Sequence, residues 1–66
     1  MNGAKYYRKK LGLTINEAAA LTKTDCATIE KMEKGLLELN AKAYRTVADA
    51  YGVAPDELTK VGFPDE

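Results

Sequence analysis

Residues 14–35 read TINEAAALTKTDCATIEKMEKG, and this stretch decides the fold. Its apolar residues recur at steps of three and four, a spacing that predicts helices rather than strands. A polar break, residues 22–25, interrupts the pattern and is too short to form a loop of its own. The stretch therefore predicts two short helices that follow each other closely.

Both helices have well-marked beginnings. Thr14 and Glu17 have the spacing of a capping box, in which each side chain accepts a hydrogen bond from the other residue's backbone N–H. Asp25 is a strong N-cap for the second helix, because its carboxylate can accept from free N–H groups of the first turn. Gly35 predicts the end of that helix, since glycine adopts the left-handed conformation without steric cost.

The rest of the chain continues as helices with similar start and stop signals. Gly12 ends a first helix, Asn40 is the expected N-cap of a fourth, and Pro55 stands at the first position of a fifth. The predicted helices are about 4–11, 15–21, 26–34, 41–51 and 55–60. The sequence thus predicts an all-α fold, a compact five-helix bundle that forms a single domain over residues 1–66.

The composition excludes several classes of protein. No apolar run approaches the roughly 20 residues of a membrane-spanning helix, and the chain starts with a charged helical pattern rather than a signal peptide, so the cytoplasm is the expected compartment. A single cysteine, Cys26, rules out an internal disulfide, and without histidine no thiolate and imidazole metal site is expected. No nucleophile, base and orienting group can be named together, so neither catalysis nor a cofactor is expected.

The charges are unevenly distributed along the chain. The formal net charge is zero, which at first argues against a nucleic-acid partner. Residues 1–34 carry seven basic and four acidic side chains, whereas residues 35–66 carry three basic and six acidic ones. A polarised domain of this kind can still present one positive face to an anion.

Three consecutive alanines explain how the two helices can lie so close. Ala18, Ala19 and Ala20 are small enough for a steep crossing over a turn of about three residues, which is the construction of a helix-turn-helix unit. In such a unit the first helix lies across the phosphate backbone, and the second places its N-terminal part in the major groove. Double-stranded DNA is therefore the expected partner of the helix at 26–34.

The sequence resembles the lambda-repressor-like helix-turn-helix family of phage Cro and CI repressors and their small bacterial relatives, the XRE-like regulators. The resemblance covers residues 4–59 and is carried by LGLT at 11–14, ATIEKMEKG at 27–35 and VADAYGVAPDEL at 47–58, with Glu17 and Ala19. It implies a five-helix bundle. It also implies a sequence-specific DNA-binding transcriptional regulator of the phage or mobile-element type, which binds a two-fold operator as a homodimer.

The resemblance also implies which residues meet the bases. It places against base edges the residues just after Asp25 and one turn further on: Cys26, Ala27, Thr28, Glu30 and Lys31. Lysine can donate to guanine, glutamate can accept from cytosine and alanine can contact a thymine methyl group. The alternative is that Ala27 and Thr28 only fit a packed helix and that Glu30 pairs with a nearby lysine. Cys26 at a helix N-terminus is also a candidate redox switch, although Asp25 opposes the required fall in pKa.

Phosphate contacts are expected at the starts of the two helices. The exposed N–H groups near Thr14 and Asp25 can bind phosphate oxygens, and the side chains of Lys10, Lys23 and Lys34 can assist them. Such contacts position a protein on DNA without reading its sequence. The alternative is that these lysines form an ordinary solvated face.

Two further expectations concern the framework of the unit. The resemblance pairs Arg8 with Glu33, which would fix the recognition helix relative to the first helix; the alternative is two independent surface charges. Lys23 stands where relatives commonly have a turn glycine. A positive φ at Lys23 would cost about 1 kcal/mol.

Two surfaces are candidates for protein partners. A homodimer surface is expected around the fifth helix, with Leu58, Val61 and Phe63. Leu36 and Leu37 either lie beneath the fourth helix or form an exposed apolar patch for a partner protein. That patch and the zero net charge support an alternative function, a protein-interaction module on the same fold, like an antitoxin or anti-repressor, with little DNA binding.

Overall fold

Five helices make up the part of the chain that the computed structural model describes, residues 1–64. They are α1 Gly3–Lys10, α2 Ile15–Thr22, α3 Cys26–Glu33, α4 Lys42–Tyr51 and α5 Pro55–Thr59. The all-α fold is confirmed, and each boundary lies within one residue of its predicted position. Residues 65 and 66 of the predicted domain lie outside the described residues. No helix in the described range is long and apolar enough to cross a bilayer.

The starts of α2 and α3 are capped as predicted. The Thr14 hydroxyl accepts from the Glu17 N–H at 3.1 Å, and the Glu17 carboxylate accepts from the Thr14 N–H at 2.9 Å. The Asp25 carboxylate accepts from the Thr28 N–H at 2.7 Å. Each cap supplies acceptors for N–H groups that the helix itself cannot satisfy, so both helices begin at defined residues.

The start of α4 differs from the prediction. Ala41 rather than Asn40 is the N-cap, and no side chain from the described residues caps this helix. The position of α4 follows instead from its buried face, which consists of Tyr44, Val47, Ala48 and Tyr51. The Tyr44 hydroxyl also donates to the Leu37 carbonyl at 2.8 Å. Tertiary packing therefore outweighs the local signal of a capping residue at position 40.

The core receives side chains from all five helices. Its buried members are Ala4, Ala18, Ala19, Ile29, Met32, Tyr44, Val47, Ala48, Tyr51 and Leu58. Leu58 is 0% exposed, because α5 packs against both α1 and α4. The expectation that Leu58 contributes to a dimer surface is therefore wrong.

The two ends of the described chain are held together. The Gly3 N–H donates to the Lys60 carbonyl at 2.9 Å. A Cβ atom on Gly3 would lie 1.7 Å from the Glu57 carbonyl oxygen, so only glycine allows this approach of α1 to α5. The Phe63 ring stacks on Tyr6 with 4.5 Å between ring centroids. Phe63, expected at a dimer surface, therefore packs on α1 of its own chain.

Candidate nucleic-acid interface

A buried threonine holds the turn between α2 and α3, which comprises residues 23–25. The Thr22 hydroxyl donates to the Ala18 carbonyl at 2.7 Å and lies 2.8 Å from the Thr24 hydroxyl. The Thr24 N–H donates to the Ala19 carbonyl at 3.0 Å. Because the hydroxyl of Thr22 is buried, these bonds fix the direction in which the chain leaves α2.

Lys23 gives the turn its sharp change of direction. Its φ of 57° and ψ of 37° lie in the left-handed region that the turn glycine of relatives adopts without strain. Among the described residues it is the only non-glycine residue with a positive φ. The conformation costs about 1 kcal/mol in a residue with a Cβ atom. The turn therefore has a fixed geometry that includes one strained residue.

Two of the three alanines of α2 account for its close packing. Ala18 is 0% exposed and Ala19 is 6% exposed, whereas Ala20 lies on the surface. α2 contacts both α3 and α4. The close approach of the helices thus depends on Ala18 and Ala19, and the expectation that Ala20 shares this role is wrong.

α3 has one buried face and one exposed face. Ile29 and Met32 are 2% and 1% exposed and anchor the helix in the core. Ala27, Glu30 and Lys31 are exposed. Since residues three and four apart lie on one side of a helix, these three residues form a continuous surface that other molecules can reach.

The other two predicted base-facing residues are only partly accessible. Cys26 is half-buried against the core, and its thiol donates to the Asn16 side-chain oxygen at 2.7 Å. Thr28 is half-buried, and its N–H is held by Asp25. Among residues 1–64 no group of three or more Cys, Asp and Glu side chains could hold a metal ion.

The predicted phosphate contacts lie at the starts of α2 and α3 and on three lysines. In the first turn of α3 the Thr28 N–H is taken by its cap, while the N–H groups of Cys26 and Ala27 have no acceptor within the helix. The three predicted lysines, Lys10, Lys23 and Lys34, are all exposed. The Lys10 ammonium lies 5.7 Å from the centre of the Tyr6 ring. The two helix starts and the lysines thus remain open to solvent.

Two carboxylates place negative charge on the same surface. Hydrogen bonding from Thr28, assisted by the charge of Lys31, holds the pKa of Asp25 below its ordinary value. Hydrogen bonding from Thr14 lowers the pKa of Glu17 in the same way. Both groups are therefore ionised at neutral pH. They repel a nearby DNA phosphate, and the positive charge of the lysines has to offset this repulsion.

An ion pair ties the C-terminal end of α3 to α1. Arg8 donates to the two carboxylate oxygens of Glu33 at 2.5 and 3.1 Å, and it also donates to the Leu13 carbonyl at 2.8 Å. The two side chains are only 12% and 7% exposed. Hydrogen bonding to Glu33 raises the pKa of Arg8. Arg8 and Glu33 are therefore paired in the structure rather than independent surface charges.

Two asparagines at the site were not identified from the sequence. The Asn2 amide donates to the Met32 carbonyl at the end of α3 at 2.9 Å, and its oxygen caps α1 through the Lys5 N–H at 3.2 Å. Asn16 accepts from the Cys26 thiol. An N-cap signal before the first helix marks Asn2, but no local pattern connects either asparagine to α3.

The leucines that follow α3 divide between the two predicted alternatives. Leu37 is half-buried against the core, and its carbonyl accepts from Tyr44. Leu36 is 71% exposed, and Leu39 further along the same loop is 80% exposed. The loop therefore buries one leucine beneath α4 and leaves two on the surface.

Comparison with known proteins agrees with this geometry. The helix-turn-helix family profile matches residues 5–58, most of the chain. The chain belongs to the lambda-repressor-like helix-turn-helix family. No curated protein and no solved structure matches it. Membership indicates that this helix-turn-helix protein is a DNA-binding regulator.

Proposed function

We propose that the protein is a sequence-specific transcriptional regulator of the phage or mobile-element type, which inserts the start of α3 into the major groove of DNA. The observation that carries this proposal is the exposed surface of Ala27, Glu30 and Lys31 on α3. The opposite side of α3 is locked into the core by Ile29 and Met32. A helix held in this way can enter a groove without losing its fixed orientation.

The exposed side chains of α3 can each recognise a different base. Lys31 can donate to guanine O6 or N7, Glu30 can accept from the cytosine amino group, and Ala27 can contact the methyl group of thymine. Cys26 and Thr28 lie beside them and contribute the parts of their side chains that remain accessible. We therefore expect Lys31 to make the strongest single contribution to base preference.

The lysines around the unit position the domain on the phosphate backbone. We assign this role to Lys10, Lys23 and Lys34, together with the N–H groups near Thr14 and Asp25. Each phosphate that a lysine neutralises adds about −0.9 to the slope of log K against log salt concentration. Because Glu17 and Asp25 are also on this surface, the slope is expected to be modest.

Selection from a pool of random duplexes at two salt concentrations tests the proposal. A sequence-specific DNA-binding protein enriches one sequence motif, and its affinity for that motif falls as the salt concentration rises. The recovered motif then serves as the probe for all variants. Negligible binding to every duplex at low salt contradicts the proposal.

Two matched lysine variants separate base reading from positioning. Lys31→Ala is expected to relax the preference at one base position by about 1–3 kcal/mol. Lys34→Ala is expected to weaken binding to all sequences alike, because a phosphate contact carries no sequence information. Titration of both variants against the selected motif and its single-base changes distinguishes the two effects. Equal, sequence-independent losses from both variants remove Lys31 from the base-reading set.

The exposed leucines favour a second function, a protein-interaction module like an antitoxin or anti-repressor. Leu36 and Leu39 are 71% and 80% exposed, and apolar surface of this kind marks interaction sites. This alternative predicts that a partner protein co-purifies with the chain while DNA binding stays negligible at low salt. Enrichment of a single DNA motif excludes it as the main function.

A further inference from the structure

Asn2 lies where three parts of the chain meet. Its side-chain oxygen accepts from the Lys5 N–H in the first turn of α1, and its side-chain nitrogen donates to the Met32 carbonyl near the end of α3. The backbone of Asn2 forms an isolated antiparallel bridge with Val61, which follows α5. Asn2 is therefore held in place by α1 and by the segment after α5, and from this position it binds the main chain of α3.

The end of α3 is already closed by two backbone hydrogen bonds. The Leu36 N–H donates to the Lys31 carbonyl at 2.9 Å, and the Gly35 N–H donates to the Met32 carbonyl at 3.2 Å. These two bonds form a Schellman motif, which satisfies free carbonyls at the end of a helix. The Met32 carbonyl thus has a backbone partner without Asn2. The bond from Asn2 therefore adds a fixed position of this helix end relative to α1.

The ion pair between Arg8 and Glu33 also joins α1 to α3, but it constrains the helix in a different way. It connects two long side chains, each of which has many rotamers. The side chain of Asn2 is short, and it bonds to α1 at its oxygen and to the main chain of α3 at its nitrogen. Asn2 therefore leaves the end of α3 less freedom to move than the ion pair does.

The two ends of α3 together determine its direction. The start is fixed by the Asp25 cap, so a displacement of the other end tilts the helix about its start. An eight-residue helix is about 12 Å long, so a displacement of about 1 Å at Met32 tilts α3 by about 5°. Lys31 precedes Met32 in α3 and moves by nearly the same distance. Contacts that recognise a specific group tolerate displacements of only about 0.5 Å.

We propose that Asn2 is a positioning residue for base recognition, which sets the direction of α3 through the Met32 carbonyl and thereby places Lys31 against its base. The inference rests on the proposed function, in which Lys31 makes the strongest contribution to base preference. A cap of α1 alone needs only a side-chain oxygen, which aspartate and serine also supply. The nitrogen of Asn2 is the atom that carries the positioning role.

Asn2→Asp and Asn2→Ser separate the two bonds of this side chain. Both variants keep an oxygen that caps α1, since asparagine, aspartate and serine are comparable N-caps, but neither presents a nitrogen donor to the Met32 carbonyl. Aspartate also places a carboxylate oxygen near that carbonyl, so its effect is expected to be the larger one. Tyr44→Phe is the matched control, because it removes a side-chain donor from the Leu37 carbonyl, outside α3.

The first measurement is made without DNA. Residual dipolar couplings of backbone amides report the direction of α3 relative to the other helices. In both Asn2 variants we expect α3 to tilt by about 5°, or its couplings to shrink because the helix end moves. Tyr44→Phe is expected to keep the couplings of the unmodified protein.

The second measurement compares the selected motif with the single-base change at the position that Lys31→Ala relaxes. Asn2→Asp is expected to reduce this discrimination about tenfold, whereas Tyr44→Phe retains it. The added charge of aspartate weakens binding to both duplexes alike, so it cancels in the ratio. In the Lys31→Ala background, Asn2→Asp is expected to cause no further loss at this position, because the lysine through which it acts is absent.

An unchanged direction of α3 in both Asn2 variants overturns the proposal. Equal losses of discrimination in Asn2→Asp and Tyr44→Phe also overturn it, as does a further loss from Asn2→Asp in the Lys31→Ala background, because either result gives Asn2 a purely structural role. Failure of the unmodified protein to enrich any DNA motif is a failure of the proposed function instead, and it is observed before any Asn2 variant is made.

Discussion

Residues 23–25 lead into α3 and residues 34–41 lead out of it, and these two connections are built differently. Before α3, the buried Thr22 hydroxyl, the left-handed Lys23 and the Asp25 cap fix every step of the chain. After α3, the longer connection has exposed leucines, and among the described residues no side chain caps the helix that follows it.

The two connections differ because the start and the end of α3 are held in different ways. The base-reading role proposed for α3 needs a helix start whose direction is fixed, and the short capped turn provides it. The end of α3 is held by side chains from elsewhere, namely Arg8 on Glu33 and Asn2 on the Met32 carbonyl. The connection itself therefore does not have to be tightly bonded, and its apolar residues remain available for contacts.

Removal of the ion pair at the end of α3 is expected to have the largest effect. Glu33→Gln leaves the guanidinium of Arg8 largely buried without a countercharge, which costs about 3–4 kcal/mol of unfolding free energy. Lys60→Ala is the control, because it breaks an exposed pair with Glu57 at 3.8 Å and is expected to change the unfolding free energy by about 0.5 kcal/mol at most. Urea denaturation measures both variants. Equal small losses would mean that the pair does not hold the end of α3.

Added volume at the buried face of α2 is expected to have the second-largest effect. Ala18→Leu forces a larger side chain between packed helices and costs about 2–3 kcal/mol. Ala20→Leu makes the same change at an exposed position of α2 and is expected to stay within about 0.5 kcal/mol. Thermal denaturation of the two variants compares them directly. A similar melting temperature for both would show that α2 and α3 can separate without loss.

Relief of the strained turn is expected to give a smaller gain. Lys23→Gly removes the Cβ atom from a left-handed residue and stabilises the protein by up to about 1 kcal/mol. Lys23→Ala removes the same charge but keeps the Cβ atom, so it is expected to give no such gain. Denaturation in urea separates strain from charge. A gain in both variants would assign the effect to the charge of Lys23.

The pH dependence of the stability that the Asp25 cap contributes is expected to be the smallest effect. The pKa of Asp25 is lowered in the folded protein, so the stability that the cap contributes is complete above the unfolded pKa of about 3.9. That stability is lost as the pH falls through the folded pKa. An NMR titration of the Thr28 amide should therefore give a midpoint below 3.9. Asp25→Asn keeps a capping side chain and is expected to abolish this titration; its persistence would assign the signal to another carboxylate.

The parts of the structure that depend on neighbours in sequence could be predicted. The Thr14 and Glu17 capping box and the Asp25 cap both follow from residues within a few positions of each other. The exposed surface of α3 follows from helical spacing once Ile29 and Met32 are assigned to the core. The resemblance supplied the pairing of Arg8 with Glu33, which local patterns do not contain.

The errors involve contacts between distant parts of the chain. The start of α4 depends on how Tyr44 packs, so a capping residue at Asn40 was a misleading signal. The burial of Leu58 and the stacking of Phe63 depend on how α5 and the following residues pack against α1. The contacts of α5 and Phe63 with α1 join residues from the two ends of the described chain, so no local pattern predicts them.

The contact between Gly3 and the Glu57 carbonyl has a consequence for synthesis on the ribosome. α1 is synthesised before α5, yet the two helices pack against each other. The contacts that close α1 onto the core can therefore form only after α5 has left the ribosome. A chain truncated before Leu58 would lack the closure that holds α1 in place.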